Sequence, residues 1–434
     1  MIPAGDGDET PASPSRWPGG TLHALREENI RRVLEVISTE GGLSQAEVAR
    51  RTGLSRATVS NLVAELRRRG LVRGDVAGLG GRGSLEIAIA TSGAVVGVDF
   101  GHSHVRVGVA DLGGQVLADE EHRLPLDFGA REGCAEAKAM MIRLLERAGV
   151  PAADVRQVGV GLPYPIDKIS GRLGGQPNPH PWTELDPSAV LEGVFGLPVV
   201  IDNDCNLGAL GELRQGAGRG FTDVIYFHVD ERAGAGVVLD GRLHRGVAGT
   251  AGEIGHMTVD PHGQTCTCGN RGCLDLAVGA TNFLDPLRGG YGLQLDIADV
   301  VRLAEHGDMR CHRALTEAGC AMGMVIADLC NLLSPQRVIV AGPIFGAREM
   351  ILRPLRETVM HRAVPAAARA VEIVRSQLDG SAEMVGAIWL ALDAIRQRAT
   401  RSAPAPAAPH VGVRHIEASM SLRAGRTRTT AALS

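Results

Sequence analysis

The chain has 434 residues, 44% hydrophobic and 22% charged, which allows two or three domains with sizeable cores and excludes a fibrous or wholly disordered protein. A formal net charge of −4 excludes a global basic field, so any nucleic-acid surface has to be local. The N-terminus lacks the apolar core of a secretory signal, and no apolar run approaches bilayer length. The expectation is a cytoplasmic protein with no membrane partner, whose eight cysteines are thiols or metal ligands rather than disulfides.

Composition divides the chain into four parts. Residues 1–21 are Pro/Gly-rich and polar and are expected to be a disordered tail. Residues 22–90 read as a compact helical unit ending in a Gly-rich stretch. Residues 92–398 alternate β-rich apolar runs with helical patterns. Residues 399–434 open with Ala-Pro repeats and are expected to be a second disordered tail.

Ile30, Val33, Leu34 and Ile37 follow the i, i+3, i+4, i+7 stripe of an amphipathic helix, which Gly41 and Gly42 end. Ser44-Gln45-Ala46-Glu47 is a capping-box pattern and predicts a short second helix. Gly53 closes that helix, and Ser55 caps a third whose stripe is Val59, Leu62, Val63 and Leu66. Leu71–Arg73 and Leu85–Ala88 read as two short strands around a Gly-rich hairpin. A short helix, a four-residue turn and a capped helix make the helix-turn-helix layout.

Burying that stripe leaves Arg56, Ala57, Thr58, Ser60 and Asn61 facing outward in the first two turns, the end of a recognition helix that meets base edges. Over residues 22–90 eleven arginines face eight acidic residues, an asymmetry of the sign duplex DNA attracts. Ser44, Gln45, Ser55, Arg56, Thr58, Ser60 and Asn61 are the candidate DNA contacts. Arg82, in the stretch Leu79–Ser84, either reaches a minor groove from a wing tip or belongs to a flexible linker. The alternative for the whole unit is a three-helix packing module without DNA.

Further along, His256, Cys266, Cys268 and Cys273 fall within eighteen residues. Three thiolates and an imidazole suit a closed tetrahedral zinc site, and Gly269 and Gly272 allow the chain reversal that brings the sulfurs together. The alternative is a set of unrelated thiols. Cys134, Cys205, Cys311, Cys320 and Cys330 lie mostly in apolar patterns and are expected as small core residues.

Residues 92–395 resemble the ROK family of repressors, open reading frames and sugar kinases. The resemblance is carried by Val96–Gly101, Gly161-Leu162-Pro163, Asp202–Asn206 with Gly211-Glu212, Ala251–His256 and the cysteine cluster. It implies an α/β fold: a two-lobed actin/hexokinase-like (ribonuclease H-like) domain after the winged helix-turn-helix. It also implies that His256, Cys266, Cys268 and Cys273 bind a structural Zn2+, and that Asn203, Asp204, Glu253 and His256 face a sugar in the cleft. The residues alone agree on the chemistry, because carboxylates, amides and an imidazole satisfy vicinal hydroxyls. Without the resemblance, Asn203 and Asp204 read as a polar turn after the apolar run Val199–Ile201. Asp275 stands where sugar-binding members often carry glutamate, a change expected either to alter which sugar fits or to weaken its binding.

In the family's kinases Asp204 would be the general base. Those kinases hold ATP with an Asp-X-Gly-Gly-Thr loop, and here the matching residues are Asp99-Phe100-Gly101-His102-Ser103, with His102 in place of the second glycine. The second loop, Gly-Thr-Gly-X-Gly, is matched by Asp230-Glu231-Arg232-Ala233-Gly234, which sets two carboxylates where polyphosphate would bind. The expectation is therefore a transcriptional regulator, and a repressor by family resemblance, that binds a double-stranded DNA operator as a homodimer or homotetramer under control of a sugar. It is not expected to be an enzyme. The alternative is an ATP-dependent sugar kinase with an accessory DNA-binding domain.

Overall fold

The computed structural model describes residues 22–40, 42–68, 70–76, 85–89, 93–167, 170, 172–174, 186–292 and 294–400. The expectations for the two tails, apart from residues 399 and 400, and for Arg82 lie outside the described residues.

The first unit runs α1 (Leu22–Glu40), β1 (Leu43–Ser44), α2 (Gln45–Thr52), α3 (Arg56–Arg68), β2 (Val72–Val76) and β3 (Leu85–Ile89). Both apolar stripes read from the sequence are buried: Ile30, Val33, Leu34 and Ile37 of α1 meet Val59, Leu62, Val63 and Leu66 of α3 in one core. The capping box at α2 forms in both directions. The Glu47 amide donates to Ser44 Oγ (3.2 Å), and the Ser44 amide donates to Glu47 Oε2 (2.9 Å). β2 and β3 pair antiparallel, and the two residues of β1 add a third strand on the far side of β3, completing a winged helix-turn-helix.

Two lobes follow. The first contains β4 (Ala94–Phe100), β5 (His104–Asp111), β6 (Val116–Arg123), α4 (Ala130–Ala148), β7 (Val155–Leu162), α5 (Pro187–Phe195), β8 (Val199–Asn203) and α6 (Asp204–Gln215). The second contains β9 (Val224–Val229), β10 (Ala233–Leu239), β11 (Arg242–Leu243), α7 (Leu274–Val278), α8 (Ala280–Tyr291), α9 (Ile297–Glu305), α10 (Met309–Leu333), β12 (Arg337–Ala341), α11 (Glu349–Arg362), α12 (Pro365–Ala370) and β13 (Glu372–Arg375). The last helix is α13 (Ala382–Thr400). Each lobe is built on a five-stranded sheet, in the orders β6-β5-β4-β7-β8 and β11-β10-β9-β12-β13. In both, a three-strand antiparallel meander continues into two parallel strands, the same topology used twice. This is the expected two-lobed actin/hexokinase-like fold.

The lobes meet where α6 and α13 cross. A Cβ on Gly386 would lie 1.8 Å from the Leu207 carbonyl oxygen, and one on Gly211 2.2 Å from that of Ala382, so only glycine permits the approach. α13 also lies against β4 and β7, where Gly97 and Gly159 admit its backbone.

α10 corrects one expectation from the sequence. By length and composition Met309–Leu333 is apolar enough to cross a membrane. It is instead the central helix of the second lobe, with Leu315, Met322, Val325 and Ile326 buried in the largest core cluster. Cys134, Cys205, Cys311 and Cys330 are buried as expected, and Cys320 is partly exposed.

Candidate ligand cleft, metal centre and DNA face

The cleft between the lobes encloses about 720 Å³. Asn203 and Asp204 stand at the junction of β8 and α6. Asn203 is the N-cap of α6: its Oδ1 accepts the Asn206 amide (3.1 Å), while its Nδ2 donates to Asp204 Oδ1 (2.9 Å). The same Asp204 oxygen accepts the Cys205 amide (2.6 Å). Burial, and then the charge of Asp99, pushes the Asp204 carboxyl above the usual carboxylate range.

Glu253 and His256 come from the short turn at Ile254–His256, and Asp275 from the first turn of α7. Asp275 is fully buried. Its Oδ1 accepts the Ala233 amide (2.9 Å) and its Oδ2 faces Arg232 Nη1 (3.3 Å). Burial, with the charges of Asp204 and Asp275, lifts Glu253 to about 7. Asn203, Asp204, Glu253, His256 and Asp275, distant in sequence, all line one cavity.

The tips of two hairpins form one end of this cavity. At the β4–β5 turn His102 turns aside, with Nδ1 on Asp127 Oδ1 (3.0 Å) and its ring edge-on to Tyr164. The ring packed over Gly101 belongs to His104, which a Cβ at Gly101 would approach to 2.2 Å. His104 Nε2 lies 3.1 Å from Asp99 Oδ2. Burial works against its charge, but the Asp99 carboxylate prevails, with help from Asp230 and Glu121, and His104 rises to about 9. At the β9–β10 turn Asp230, Glu231 and Arg232 project into the same end. Burial and the neighbouring Asp230 raise the Glu231 carboxyl.

Among the cleft residues that sequence reasoning missed are His104, His228 and Glu383. Glu383 lies in the first turn of α13, accepts the Tyr226 hydroxyl (2.6 Å) and faces His228 Nδ1 (3.5 Å). Burial pushes its carboxyl up. The available signal was a carboxylate opening the apolar run Met384–Leu392.

In the cleft wall, which His256 and Cys268 line, His256, Cys266, Cys268 and Cys273 converge, their donor atoms all within 4.8 Å of one another. Cys268 Sγ and Cys273 Sγ are 3.7 Å apart, as are Cys266 Sγ and His256 Nδ1. A tetrahedral ion with bonds of about 2.3 Å needs edges of about 3.8 Å, so the donor set fits a metal of that size. The loop is tied back by Cys266 N on the Asn270 carbonyl (2.7 Å) and Gly272 N on that of Gln264 (2.8 Å). Gly272 sits at φ +59°, where a Cβ would strike the Asp260 carbonyl.

On the winged unit, Arg56, Ser60 and Asn61 of α3 are exposed and Thr58 is half-buried. Ser55 is committed to its cap, accepting the Thr58 amide (3.1 Å) and sharing a hydroxyl contact of 2.8 Å with Thr58. Ser44 is likewise held by Glu47, and Gln45 is half-buried at the start of α2. Among the described residues, Arg56, Ser60 and Asn61 are the exposed polar side chains at the front of α3.

Comparison with known proteins agrees with this architecture. Residues 95–394 match the ROK family and residues 31–82 the MarR family. The chain is 29% identical over 369 residues to the xylose repressor of Bacillus spizizenii, covering 83% of this chain and 94% of that one. It is 28% identical over 376 residues to the N-acetylglucosamine repressor of Escherichia coli O157:H7, covering 83% and 91%. Among solved structures, a ROK family transcriptional regulator described as a homologue of the E. coli MLC protein superposes with a TM-score of 0.75 at 22% identity, over 87% of this chain and 98% of that one. A ROK family glucokinase from Streptomyces griseus, in complex with glucose and AMPPNP, superposes with a TM-score of 0.61 at 30% identity, over 69% and 100%. With its two lobes, its cleft and a MarR-type winged helix ahead of them, the chain belongs to the ROK family.

Proposed function

We propose that the protein is a sequence-specific transcriptional regulator, a repressor of carbohydrate-metabolism genes, whose operator affinity is set by a sugar or sugar derivative in the cleft. One observation carries this reading: the same chain holds an exposed polar helix face of helix-turn-helix geometry and a carboxylate-lined cavity with room for a sugar. The domain division is a segment at 1–21, the DNA-binding unit at 22–90, the ligand-sensing domain from 92 and a C-terminal segment to 434; because α13 runs to Thr400, the domain ends two residues beyond the 398 expected from the sequence. Arg56, Ser60 and Asn61 offer a guanidinium, a hydroxyl and an amide to base edges and phosphates, with Ser44, Gln45, Ser55, Thr58 and Arg82 as further contacts. Asn203, Asp204, Glu253, His256 and Asp275 hold the sugar hydroxyls. Reading a palindromic operator requires a homodimer or homotetramer, and the protein works in the cytoplasm.

His256, Cys266, Cys268 and Cys273 hold a structural Zn2+, which supplies a rigid cross-link between the cleft wall and the loop behind it. His256 Nδ1 faces the cysteines, leaving Nε2 for a ligand hydroxyl.

An electrophoretic mobility shift on the protein's own upstream DNA, with and without candidate sugars, tests the reading. A sugar-dependent change in operator affinity is expected, and failure to bind DNA specifically at moderate salt would overturn it. The kinase alternative has Asp204 in its favour. Against it stand the His104 ring over Gly101 and the carboxylates of Asp230 and Glu231, which take the place of a phosphate cradle. In a coupled ADP-release assay with glucose and mannose no turnover is expected; turnover abolished by Asp204→Asn would establish the kinase.

A further inference from the structure

The charges around the cleft are unevenly matched. Four of the basic side chains lining it already face a carboxylate: His102 with Asp127 at 3.0 Å, His104 with Asp99 at 3.1 Å, His228 with Glu383 at 3.5 Å and Arg232 with Asp275 at 3.3 Å. The fifth, His256, turns Nδ1 to the cysteines. Asp204, Asp230, Glu231 and Glu253 line the same cavity without an ion pair of their own among the described residues, although His102 and His228 lie near Asp204, His102 near Glu231 and His104 near Asp230. One oxygen of the fully buried Asp99, Oδ1, has no hydrogen-bond partner either. Among the described lining residues no cation is left for an incoming anion, while four carboxylates and a bare carboxylate oxygen would face it.

From this charge pattern we infer that the cleft takes an unphosphorylated sugar and rejects the phosphate ester of that sugar. The inference rests on the sugar-sensor reading and narrows it. Neutral hydroxyls can donate to each of these carboxylates, so a free sugar meets acceptors it can use. A phosphoryl group brings up to two negative charges, needs donors, and finds like charge in a partly desolvated site. Asp230 and Glu231 are the specificity-determining residues, because they set two adjacent acidic side chains into the cavity lining at the β9–β10 turn.

The test is isothermal titration of the full chain with matched pairs: glucose against glucose 6-phosphate, and N-acetylglucosamine against N-acetylglucosamine 6-phosphate. The free sugar of a binding pair is expected to bind at least about tenfold more tightly than its ester, a gap of about 1.4 kcal/mol. The double variant Asp230→Asn, Glu231→Gln should narrow that gap. Equal or tighter binding of an ester, or a gap unmoved in a folded double variant, overturns the inference. If neither member of any pair binds while specific DNA binding persists, the sugar reading fails and the inference falls with it. If the free sugars bind but do not alter DNA affinity, only the regulatory reading fails.

Discussion

His104 and Asp99 show how one pair can shape both stability and the site. In the unfolded chain a histidine gives up its proton near 6.5, whereas His104 in the fold keeps it to about 9. Between those values the folded state binds the extra proton. The stabilisation is therefore complete below about 6.5 and is lost as pH rises through about 9. The pair contributes on the order of 3 kcal/mol at most. The melting temperature is expected to fall between pH 6.5 and 9, and Asp99→Asn should flatten that fall; an equally steep fall in the variant would refute the assignment. The cysteine cluster makes a second prediction at this scale. Cys266→Ser leaves an incomplete donor set, so stoichiometric zinc should be lost and the melting temperature lowered, because structural metal binding is part of the folding free energy. Elemental analysis of wild type and variant decides it, and a metal-free wild type would end the zinc assignment.

At the scale of elements, the α6–α13 crossing is set by backbone contact rather than by side chains. Gly386→Ala places a methyl 1.8 Å from the Leu207 carbonyl, so the helices must separate. A loss of about 1–3 kcal/mol in chemical denaturation is expected, and an unchanged midpoint would show that the crossing is slack. α3 offers a contrasting case. Asn61→Ala removes an exposed amide, so it should leave the melting temperature unchanged while costing about 1–3 kcal/mol of operator affinity. A variant that shifts unfreely with stability rather than with operator sequence would argue against a base contact. The two cases also mark what the sequence makes legible. The α3 stripe, the capping box at Ser44 and the cysteine cluster are local patterns, with partners within a turn or a loop. The strand Leu43–Ser44 is too short to carry a period, and its partner Ile87 lies forty-four residues away. The glycines at the crossing depend on long-range packing that leaves no local mark. The proposed ligand set was legible only through family resemblance, since Asn203, Glu253 and Asp275 share nothing in sequence beyond polarity.

For the whole molecule, the question is how a sugar in the cleft reaches the DNA-binding unit. α13 spans that distance as one continuous helix. Its first turn supplies Glu383 to the cleft wall, where Tyr226 and His228 hold it. Near its other end Ile395 packs against both the winged unit's core and the core that α13 itself builds. One turn later Arg398 donates to Gln157, a buried residue of β7. A ligand that favours one arrangement of the lobes would shift α13, and the winged unit would move with the helix it rests on. Such coupling must be reciprocal: if sugar changes operator affinity by some factor, operator changes sugar affinity by the same factor. Ile395→Ala, with Arg398→Ala as a gentler second variant, should keep each separate affinity within about twofold while reducing that shared factor, typically worth 1–3 kcal/mol in coupled proteins. Measuring operator binding with and without sugar, and sugar binding with and without operator, gives the factor twice from independent data. Full coupling in both variants would mean that the signal bypasses α13 and travels through another contact between the lobes and the winged unit.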